Sequence, residues 1–307
     1  MTKWVLASLL IAGCGSVASS PDAAVQPDTS IQIDAEVHGC DATTCPTGCC
    51  DGAGTCRAAP ACGTAGAACM AGCPATVPES TDMLVWLVGE DFDASASPIW
   101  PDRSGHGANA SCASLTCPMN GTINGHRDVL FPGGGNGFAL TDQAMAFKSQ
   151  SWTFYIVAKP SASAGSYGQL LGFYASNNYV KFQRDATSAN IAFQVIPGVP
   201  TNYLLTGASW GWAGNWERLY GSVDSSGAAK LGTYNTTSQI SSLINGSIGA
   251  PTNVDFSTAY LGTNPTNPGE TASAFIGEIA EVIVFDTQIS QASQQAIHSY
   301  LTARYGF

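Results

Sequence analysis

The chain has 307 residues, and 22 Asp and Glu against 11 Lys and Arg give a formal net charge of −11 at pH 7. Nucleic-acid binders need clustered cations for phosphates, so this charge excludes that class of partner, and it offers no basic patch for anionic lipid. Charged residues make up 11% of the chain, against about 25% in an average soluble domain, whereas 34 Gly and 16 Pro are present. Such a composition is typical of a turn-rich β protein.

The N-terminus predicts export and attachment to a membrane. After Lys3, residues 4–13 form an apolar run that is too short to cross a bilayer as a helix and has signal-peptide length. The run ends in Ile-Ala-Gly before Cys14, an order that resembles the lipobox of bacterial lipoproteins. The resemblance implies that residues 1–13 are removed, that Cys14 is lipidated, and that the outer membrane or cell surface is the destination. The alternative is an ordinary secretory signal in which Cys14 is incidental.

The next segment predicts a tether. Residues 15–39 contain four acidic residues, no Lys or Arg, and no aromatic residue. Such a segment cannot bury enough apolar surface to offset the entropy lost on ordering. We therefore expect residues 14–39 to form a lipidated N-terminus followed by a disordered tether.

A Cys-rich segment follows over residues 40–74. Its eight cysteines are Cys40, Cys45, Cys49, Cys50, Cys56, Cys62, Cys69 and Cys73. A segment this small cannot be held by burial alone, and export favours disulfides, although eight cysteines allow many pairings. Zinc is the alternative, and the adjacent pair Cys49-Cys50 is awkward for one tetrahedral site. The segment resembles Cys-rich spacers of surface lipoproteins from myxobacteria and their relatives, which implies a protease-resistant stalk; a small binding knottin is the other interpretation.

Every aromatic residue except Trp4 lies after residue 80, so the core-forming domain is expected over residues 80–307. Short β-branched and aromatic runs alternate there with Gly- and Asp-rich turns, which predicts many strands. The predicted strands are 83–88, 152–158, 169–174, 179–183, 191–196, 216–223, 230–234, 258–262 and 278–285. One helix is predicted at the end, with Ser290 as N-cap and Gly306 as stop. The fold class is all-β, a two-sheet antiparallel sandwich with one short C-terminal helix.

Both ends of this domain carry a resemblance. The strand Leu-Val-Trp-Leu at 84–87 precedes Trp-Pro-Asp-Arg-Ser-Gly-His-Gly-Ala-Asn-Ala at 100–110. The chain closes with Phe-Ile-Gly-Glu-Ile-Ala-Glu-Val-Ile-Val-Phe at 275–285 and with a helix that finishes at 300–306. These segments are similar to laminin-G-like members of the concanavalin A-like lectin/glucanase superfamily. The resemblance implies a jelly roll of two antiparallel sheets whose partner is a glycan or another surface protein.

The loop after residue 100 has two readings. Asp102 and Ser104 can accept or donate hydrogen bonds to nearby backbone, and two glycines allow positive φ, so a compact turn is expected. The sharper hypothesis makes Asp102 a calcium ligand, because hard cations take carboxylate oxygens. No other cofactor is required by the sequence. Cys112 and Cys117 follow in the next loop, and we expect them to form a local disulfide.

The sequence argues against glycosidase chemistry. Glucanases of the superfamily carry E-x-D-x-E on one strand. The nearest approach to this motif in the chain is the pair Glu278 and Glu281, three residues apart and without the central Asp. In a regular strand that spacing sends the two side chains to opposite faces, although a bulge would change this. Glu281 shares its face with apolar residues, so it is predicted to be a buried structural acid with a partner. His298, on the terminal helix, is expected at the surface.

Three tryptophans within seven residues give the strongest binding signal. Trp210, Trp212 and Trp216 lie among glycines, and indole faces stack on sugar rings. The alternative is that Trp216 opens a core strand while Trp210 and Trp212 cover the edge of the sandwich. The resulting hypothesis is a surface-anchored, non-catalytic lipoprotein that recognises a carbohydrate or surface protein. A divergent glycan hydrolase or lyase and a purely structural envelope component are the alternatives.

Overall fold

The computed structural model describes residues 48–50, 56–58, 82–141, 151–161, 168–176, 178–184, 190–197, 203–209, 214–234, 242–248 and 256–306. The lipidation site, the tether and the side chains of the eight clustered cysteines lie outside the described residues, so those expectations stay predictions. The Cys-rich segment contributes the backbone of a short antiparallel pair, β1 (Gly48–Cys50) with β2 (Cys56–Ala58). Within the described ranges, no helix has the length and apolar character needed to cross a membrane.

The main body is a sandwich of antiparallel strands with one α-helix. Its elements are β3 (Met83–Val88), β4 (Ile99–Trp100), β5 (Ala110–Ser111), β6 (Met119–Ile123), β7 (His126–Phe131), β8 (Phe138–Leu140), β9 (Trp152–Pro160), β10 (Gln169–Ala175), β11 (Asn178–Arg184), β12 (Asn190–Pro197), β13 (Tyr203–Ser209), β14 (Glu217–Val223), β15 (Ala228–Tyr234), β16 (Ser242–Ser247), β17 (Thr258–Leu261), β18 (Gly277–Phe285) and α1 (Gln291–Tyr305).

The strands form two sheets. Sheet 1 has the order β13-β12-β11-β10-β17-β8-β5-β4, and sheet 2 has the order β16-β15-β14-β9-β18-β7-β6, with β3 pairing the second half of β18. Every pairing between these strands is antiparallel. The predicted all-β, two-sheet class with one C-terminal helix is therefore confirmed.

Alternating residues of both sheets fill the space between them. Trp152 stacks on Phe154 at 4.9 Å between ring centroids, and it contacts Phe193 of the facing sheet at 4.2 Å. Period-2 alternation sends the intervening residues to the outer faces, which are the sides turned away from the opposite sheet. What covers each outer face therefore determines where a ligand can reach the molecule.

Helix α1 covers part of the outer face of sheet 2. Ser290 caps its start by accepting a hydrogen bond from the Ser293 amide at 3.1 Å, and Gly306 ends it in the left-handed region with φ of 81°. These two residues were predicted in both roles, and both are confirmed. The apolar stripe of the helix packs on the sheet through Ile297, Tyr300 and Leu301.

A β-bulge in β18 changes which way its acids point. The register shifts between Ile279 and Glu281, so Ile279 faces the core between the sheets while Ala280 lies on the helix side. Glu278 pairs with Lys159, which alternates along β9 with the helix-facing residues of that strand. The regular strand considered from sequence would separate the two glutamates, but the bulge places Glu278 and Glu281 on the same outer face.

Candidate functional site

Helix α1 leaves an open groove between itself and strands β14–β16. One cavity of about 770 Å³ lies between the helix and β14, and a second of about 480 Å³ adjoins it toward β16, sharing three lining residues. We call the two cavities together the helix groove. It is lined by Arg218, Tyr220, Lys230, Tyr234, Leu243, Gln288, Ile289, Ser290, Gln291, Gln294, Gln295, His298, Ser299, Thr302 and Ala303.

The floor of the groove is aromatic because of strand register. Arg218 of β14 lies opposite Tyr234 of β15, and Tyr220 lies opposite Gly232, which carries no side chain. The Tyr220 hydroxyl donates a hydrogen bond to Ser222 at 2.8 Å, and its ring packs 5.2 Å from that of Tyr155. Burial raises the pKa of Tyr220 to about 12, so this phenol stays neutral. The groove thus has a rigid, uncharged tyrosine floor.

Arg218 joins the floor to the helix. Its Nη1 donates to the His298 carbonyl oxygen at 2.9 Å and to Thr302 Oγ1 at 2.6 Å. Its guanidinium lies 5.5 Å from the centre of the Tyr234 ring. Burial lowers the pKa of Arg218 from its ordinary value. Arg218 therefore fixes the distance between α1 and β14 and so the width of the groove.

His298 corrects an expectation from sequence. It was predicted at the surface, but the structure places it half-buried in the groove wall, with its ring 4.2 Å from Tyr234 and 5.3 Å from Tyr155. Burial, together with the charge of Arg218, lowers the pKa of His298 to about 4. The imidazole is therefore neutral at pH 7 and can only act through hydrogen bonds or ring contact. Strand register, which the helix sequence does not reveal, brings the tyrosines over it.

The remaining wall is rich in amides and hydroxyls. Four glutamines line it, Gln288, Gln291, Gln294 and Gln295, and Gln294 Nε2 donates to the Ile289 carbonyl at 3.0 Å. Lys230 is exposed at the β16 side, and the described residues that line the groove include no Asp or Glu. Aromatic rings beside amide and hydroxyl groups suit a ligand that presents apolar ring faces and many hydroxyls.

Of the predicted tryptophan cluster, the structure describes one member. Trp210 and Trp212 lie outside the described residues, so their role stays a prediction. Trp216 is half-buried two residues before Arg218, and Lys159 Nζ lies 5.8 Å from its ring centre while also pairing with Glu278 at 3.3 Å. Trp216 therefore lies at the same end of the outer face as the opening of the groove beside Arg218.

Asp102 forms the compact turn that its sequence predicts. Oδ1 accepts hydrogen bonds from the amides of Trp86 and Ser104 at 2.8 and 3.0 Å, and Oδ2 accepts from Ser104 Oγ and the Ala108 amide at 2.6 and 3.0 Å. These bonds hold the loop against β3. In the part of the chain that the structure describes, no group of three or more His, Cys, Asp and Glu could hold a metal. Calcium at Asp102 stays a prediction.

The predicted local disulfide is present. Cys112 and Cys117 are bonded, with their Cα atoms 5.0 Å apart. Cys112 belongs to the core between the sheets, and Cys117 packs against it. The bridge therefore closes the loop that follows β5 onto the edge of sheet 1.

Glu281 is the structural acid that its sequence context predicts. It is 1% exposed and accepts hydrogen bonds from Trp86 Nε1 at 2.7 Å, Tyr300 OH at 2.9 Å and Tyr305 OH at 2.7 Å, with Arg304 Nε at 3.6 Å. Burial raises its pKa, and the charge of Arg304 opposes that shift. All of its neighbours belong to β3 or α1, so Glu281 holds the helix on the sheet.

Sequence reasoning missed a second buried acid, Asp128 of β7. Its side chain is fully buried, and neither carboxyl oxygen has a hydrogen-bond partner among the residues that the structure describes. Burial, with the nearby charge of Glu278, raises the pKa of Asp128 to about 7. A Cβ on Gly121, directly across from it, would meet its Oδ1, so the glycine leaves the space that this side chain occupies.

No protein-family model matches the sequence, and no curated protein matches it. Among solved structures, the chain is similar to the binding domain of Paraclostridial Mosquitocidal Protein 1, with a TM-score of 0.52 and 10% identity over 71% of this chain and 52% of that one. The binding domain of botulinum neurotoxin serotype G gives 0.51 and 10% identity over 72% and 50%. Trypanosoma rangeli sialidase in complex with 2,3-difluoro-KDN gives 0.50 and 14% over 76% and 34%.

The chain spans about half the length of the two toxin binding domains and a third of the sialidase. Identities this low show a shared fold and nothing more specific. The shared fold is a β-sandwich, in agreement with the sheet order described above.

Proposed function

We propose that this protein is an exported lipoprotein, anchored through Cys14, whose β-sandwich binds a carbohydrate in the helix groove without catalysing a reaction. The observation that carries the proposal is the lining of the groove, with a tyrosine floor, a wall of glutamine amides and hydroxyls, and no acidic residue among its described members. Aromatic faces and directional amide groups are the features that recognise sugars.

The comparisons support a recognition role. Two of the similar structures are called binding domains of toxins, and the third is a sialidase bound to 2,3-difluoro-KDN. A β-sandwich of this kind hosts both binding and catalysis, so the fold alone does not choose between them.

The positions of the acids favour binding over hydrolysis. Most retaining glycosidases use two accessible carboxyl groups about 5–5.5 Å apart, whereas sialidases use a tyrosine nucleophile. Glu281 is occupied by three hydrogen-bond donors and Arg304 beneath the helix, and Asp128 is fully buried. Glu278 is the more accessible of the three and is paired with Lys159. These contacts assign the acids to folding, which supports a non-catalytic function.

A glycan array probed with the purified full chain, with and without calcium, tests the binding proposal. We expect a defined set of glycans to be retained, and Tyr234→Ala to weaken their binding at least tenfold because a stacking ring is lost. Met119→Ala is the control, since this exposed side chain of β6 lies at the far edge of sheet 2. An array with no retained glycan, or wild-type affinity in Tyr234→Ala, would contradict the proposal. Calcium dependence would support the hypothesis for Asp102.

The anchor has its own test. Cys14→Ala removes the thiol that would carry the lipid, so we expect this variant to leave the membrane fraction while wild type stays there. Two or more acyl chains hold a protein on a bilayer almost irreversibly, so the change in fractionation should be nearly complete. A Cys14→Ala variant that still fractionates with membranes would refute the anchor.

A further inference from the structure

Lys181 occupies an unusual position at the centre of sheet 1. Its neighbours in β11, Val180 and Phe182, face the core, so its own side chain lies on the outer face. Gln194 of β12 lies opposite on one side and Gly172 of β10 on the other. Lys181 is nevertheless only 9% exposed. A lysine on an outer face is normally solvated, so this burial needs an explanation.

The ammonium group has no hydrogen bond and no ion pair within the described ranges. Nζ lies 4.3 Å from the centre of the Tyr179 ring, which supplies only a cation–π contact. The acid whose charge acts on it is Glu270, but that carboxylate accepts hydrogen bonds from Asn264 Nδ2 at 2.9 Å and Ser273 Oγ at 3.3 Å. Burial lowers the pKa of Lys181 to about 8. Charges this deeply placed in folded proteins are almost always paired, whereas Lys181 has no hydrogen bond or ion pair among the described residues.

A second unsatisfied polar group lies on the same face. Gln169 is 3% exposed, and its Oε1 has no hydrogen-bond partner in the part of the chain that the structure describes. Gln169 is the cross-strand partner of Gln183, whose Nε2 lies 3.5 Å from Gln194 Oε1. Among the described residues of this face, the Lys181 ammonium and Gln169 Oε1 therefore lack hydrogen-bond partners, and the amide side chains of Gln183 and Gln194 lie on the same face. A buried acceptor without a partner costs free energy that a ligand hydroxyl would return.

The loop after β17 forms one side of this polar region. Pro265 lies directly over Gly172, where a Cβ atom would approach its Cγ to 2.6 Å. Gly172 is thus required for the loop to reach the sheet. The same loop carries Glu270, which accepts a hydrogen bond from Asn264 and whose charge acts on Lys181. The region is built by a tight contact between loop and sheet, which a solvated surface would not need.

We propose that Lys181, Gln169, Gln183 and Gln194 form a second binding site, separate from the helix groove, that takes an acidic sugar of the hexuronate class. The ammonium would receive the sugar carboxylate, and Gln169 Oε1 would accept a hydrogen bond from a sugar hydroxyl. The Tyr179 ring offers an apolar face beside them. A hexuronate supplies one carboxylate and several hydroxyls on a single pyranose ring without the bulky side chain of larger acidic sugars, which suits groups that lie this close together on one face.

Calorimetric titration of the full chain with methyl β-glucuronide and with methyl β-glucoside tests this assignment, because the two ligands differ only in the carboxylate. We expect the glucuronide to bind at least tenfold more tightly. Its affinity should fall as pH rises from 7 to 10, because Lys181 loses the proton that the carboxylate needs. Tyr179 and Glu270 are the other titratable groups facing Lys181, and Glu270→Gln should strengthen binding by removing a competing charge.

Substitutions make the test specific to this site. Lys181→Met keeps the aliphatic chain but removes the charge, and it should abolish the preference for glucuronide. Lys181→Arg keeps a cation and should retain that preference. Met119→Ala, at an exposed position of β6 that lines neither site, should leave glucuronide affinity unchanged. Retained folding of Lys181→Met is checked by its thermal midpoint.

Three results would overturn the assignment. Equal affinity for both ligands would show that the site does not recognise the carboxylate. Wild-type affinity for the glucuronide in Lys181→Met would show that the lysine does not bind it. Acetate binding as tightly as the glucuronide would show that the sugar is not recognised. Because Tyr234 belongs only to the helix groove, loss of glucuronide binding in Tyr234→Ala would contradict the second site while supporting the first.

Discussion

The two outer faces of the sandwich differ in how many partners surround a buried charge. Beneath helix α1, Glu281 is surrounded by Trp86, Tyr300, Tyr305 and Arg304, so its charge is matched on every side that the contacts reveal. On sheet 1, Lys181 is 9% exposed, and among the described residues its ammonium contacts the Tyr179 ring and feels the charge of Glu270 without a hydrogen bond or ion pair. Desolvating a charge costs free energy that only partners offset. We therefore expect the first charge to stabilise the fold and the second to lower its stability when no ligand is bound.

The largest expected effect comes from breaking the matched pair. Glu281→Gln puts an amide nitrogen where Oε2 accepts from Tyr305 OH, while Arg304 keeps its ion pair with Glu90 at 2.6 Å. We expect the free energy of unfolding to fall by about 2–4 kcal/mol because charge-assisted hydrogen bonds in a buried place are lost. Thermal and denaturant unfolding measure this. Glu278→Gln is the matched control, because its ion pair with Lys159 is partly exposed and should cost about 1 kcal/mol or less. Equal losses in the two variants would show that burial under the helix confers no special role.

Asp128 gives a pH-dependent version of the same test. Its pKa in the fold is raised to about 7, above the ordinary value of 3.8, so the folded state holds a proton that the unfolded state has released. The contribution of Asp128 to the free energy of unfolding should therefore be most favourable below pH 4 and be lost as the pH rises through 7. Asp128→Asn should raise the free energy of unfolding at pH 8 by up to about 4 kcal/mol and change little at pH 4. A pH-independent difference between the proteins would argue against this titration.

Removing the charge of Lys181 should change the free energy of unfolding in the opposite direction. The pKa of Lys181 is lowered to about 8 in the fold from 10.5, so at pH 7 its charge is held at a cost. Lys181→Met should therefore raise the free energy of unfolding at pH 7 by about 1–3 kcal/mol and lose that advantage above pH 10. Exposed Lys230→Met should change it by less than about 0.5 kcal/mol. Destabilisation by Lys181→Met would show that the lysine has a structural partner.

The smallest effect concerns the helix that borders the groove. Ser290→Ala removes the cap of α1 and should lower the free energy of unfolding by about 1 kcal/mol. Ser299→Ala, at an exposed position within the same helix, is the control and should have little effect. A loss confined to Ser299→Ala would contradict the capping role.

Much of the fold was predictable because its signals are local. The β-branched and aromatic runs in 152–158 and 278–285 identified strands, and Ser290 and Gly306 identified both ends of the helix. The bulge at Ile279–Glu281 was not predictable, because either face pattern is compatible with apolar neighbours until the register against β9 is known. One extra residue decided that Glu278 and Glu281 share a face.

The candidate sites were less predictable because distant segments form them. The helix groove joins Arg218 and Tyr234 to helix residues some sixty to eighty positions later, and no local pattern reports that distance. The alternation Val180-Lys181-Phe182 does indicate an outward lysine, but its charge interaction with Glu270 involves a loop some ninety positions later. Sequence reasoning instead pointed to Trp210 and Trp212, which stay untested.

The most direct test of carbohydrate binding in the helix groove is a nuclear magnetic resonance titration of full chain labelled at tyrosine and histidine side chains, using a glycan retained on the array. We predict that the ring signals of Tyr234 and His298 shift together and saturate at the affinity measured by the array, with His126 unchanged. If saturating glycan leaves the ring signals of both Tyr234 and His298 unshifted, carbohydrate binding in the helix groove is contradicted.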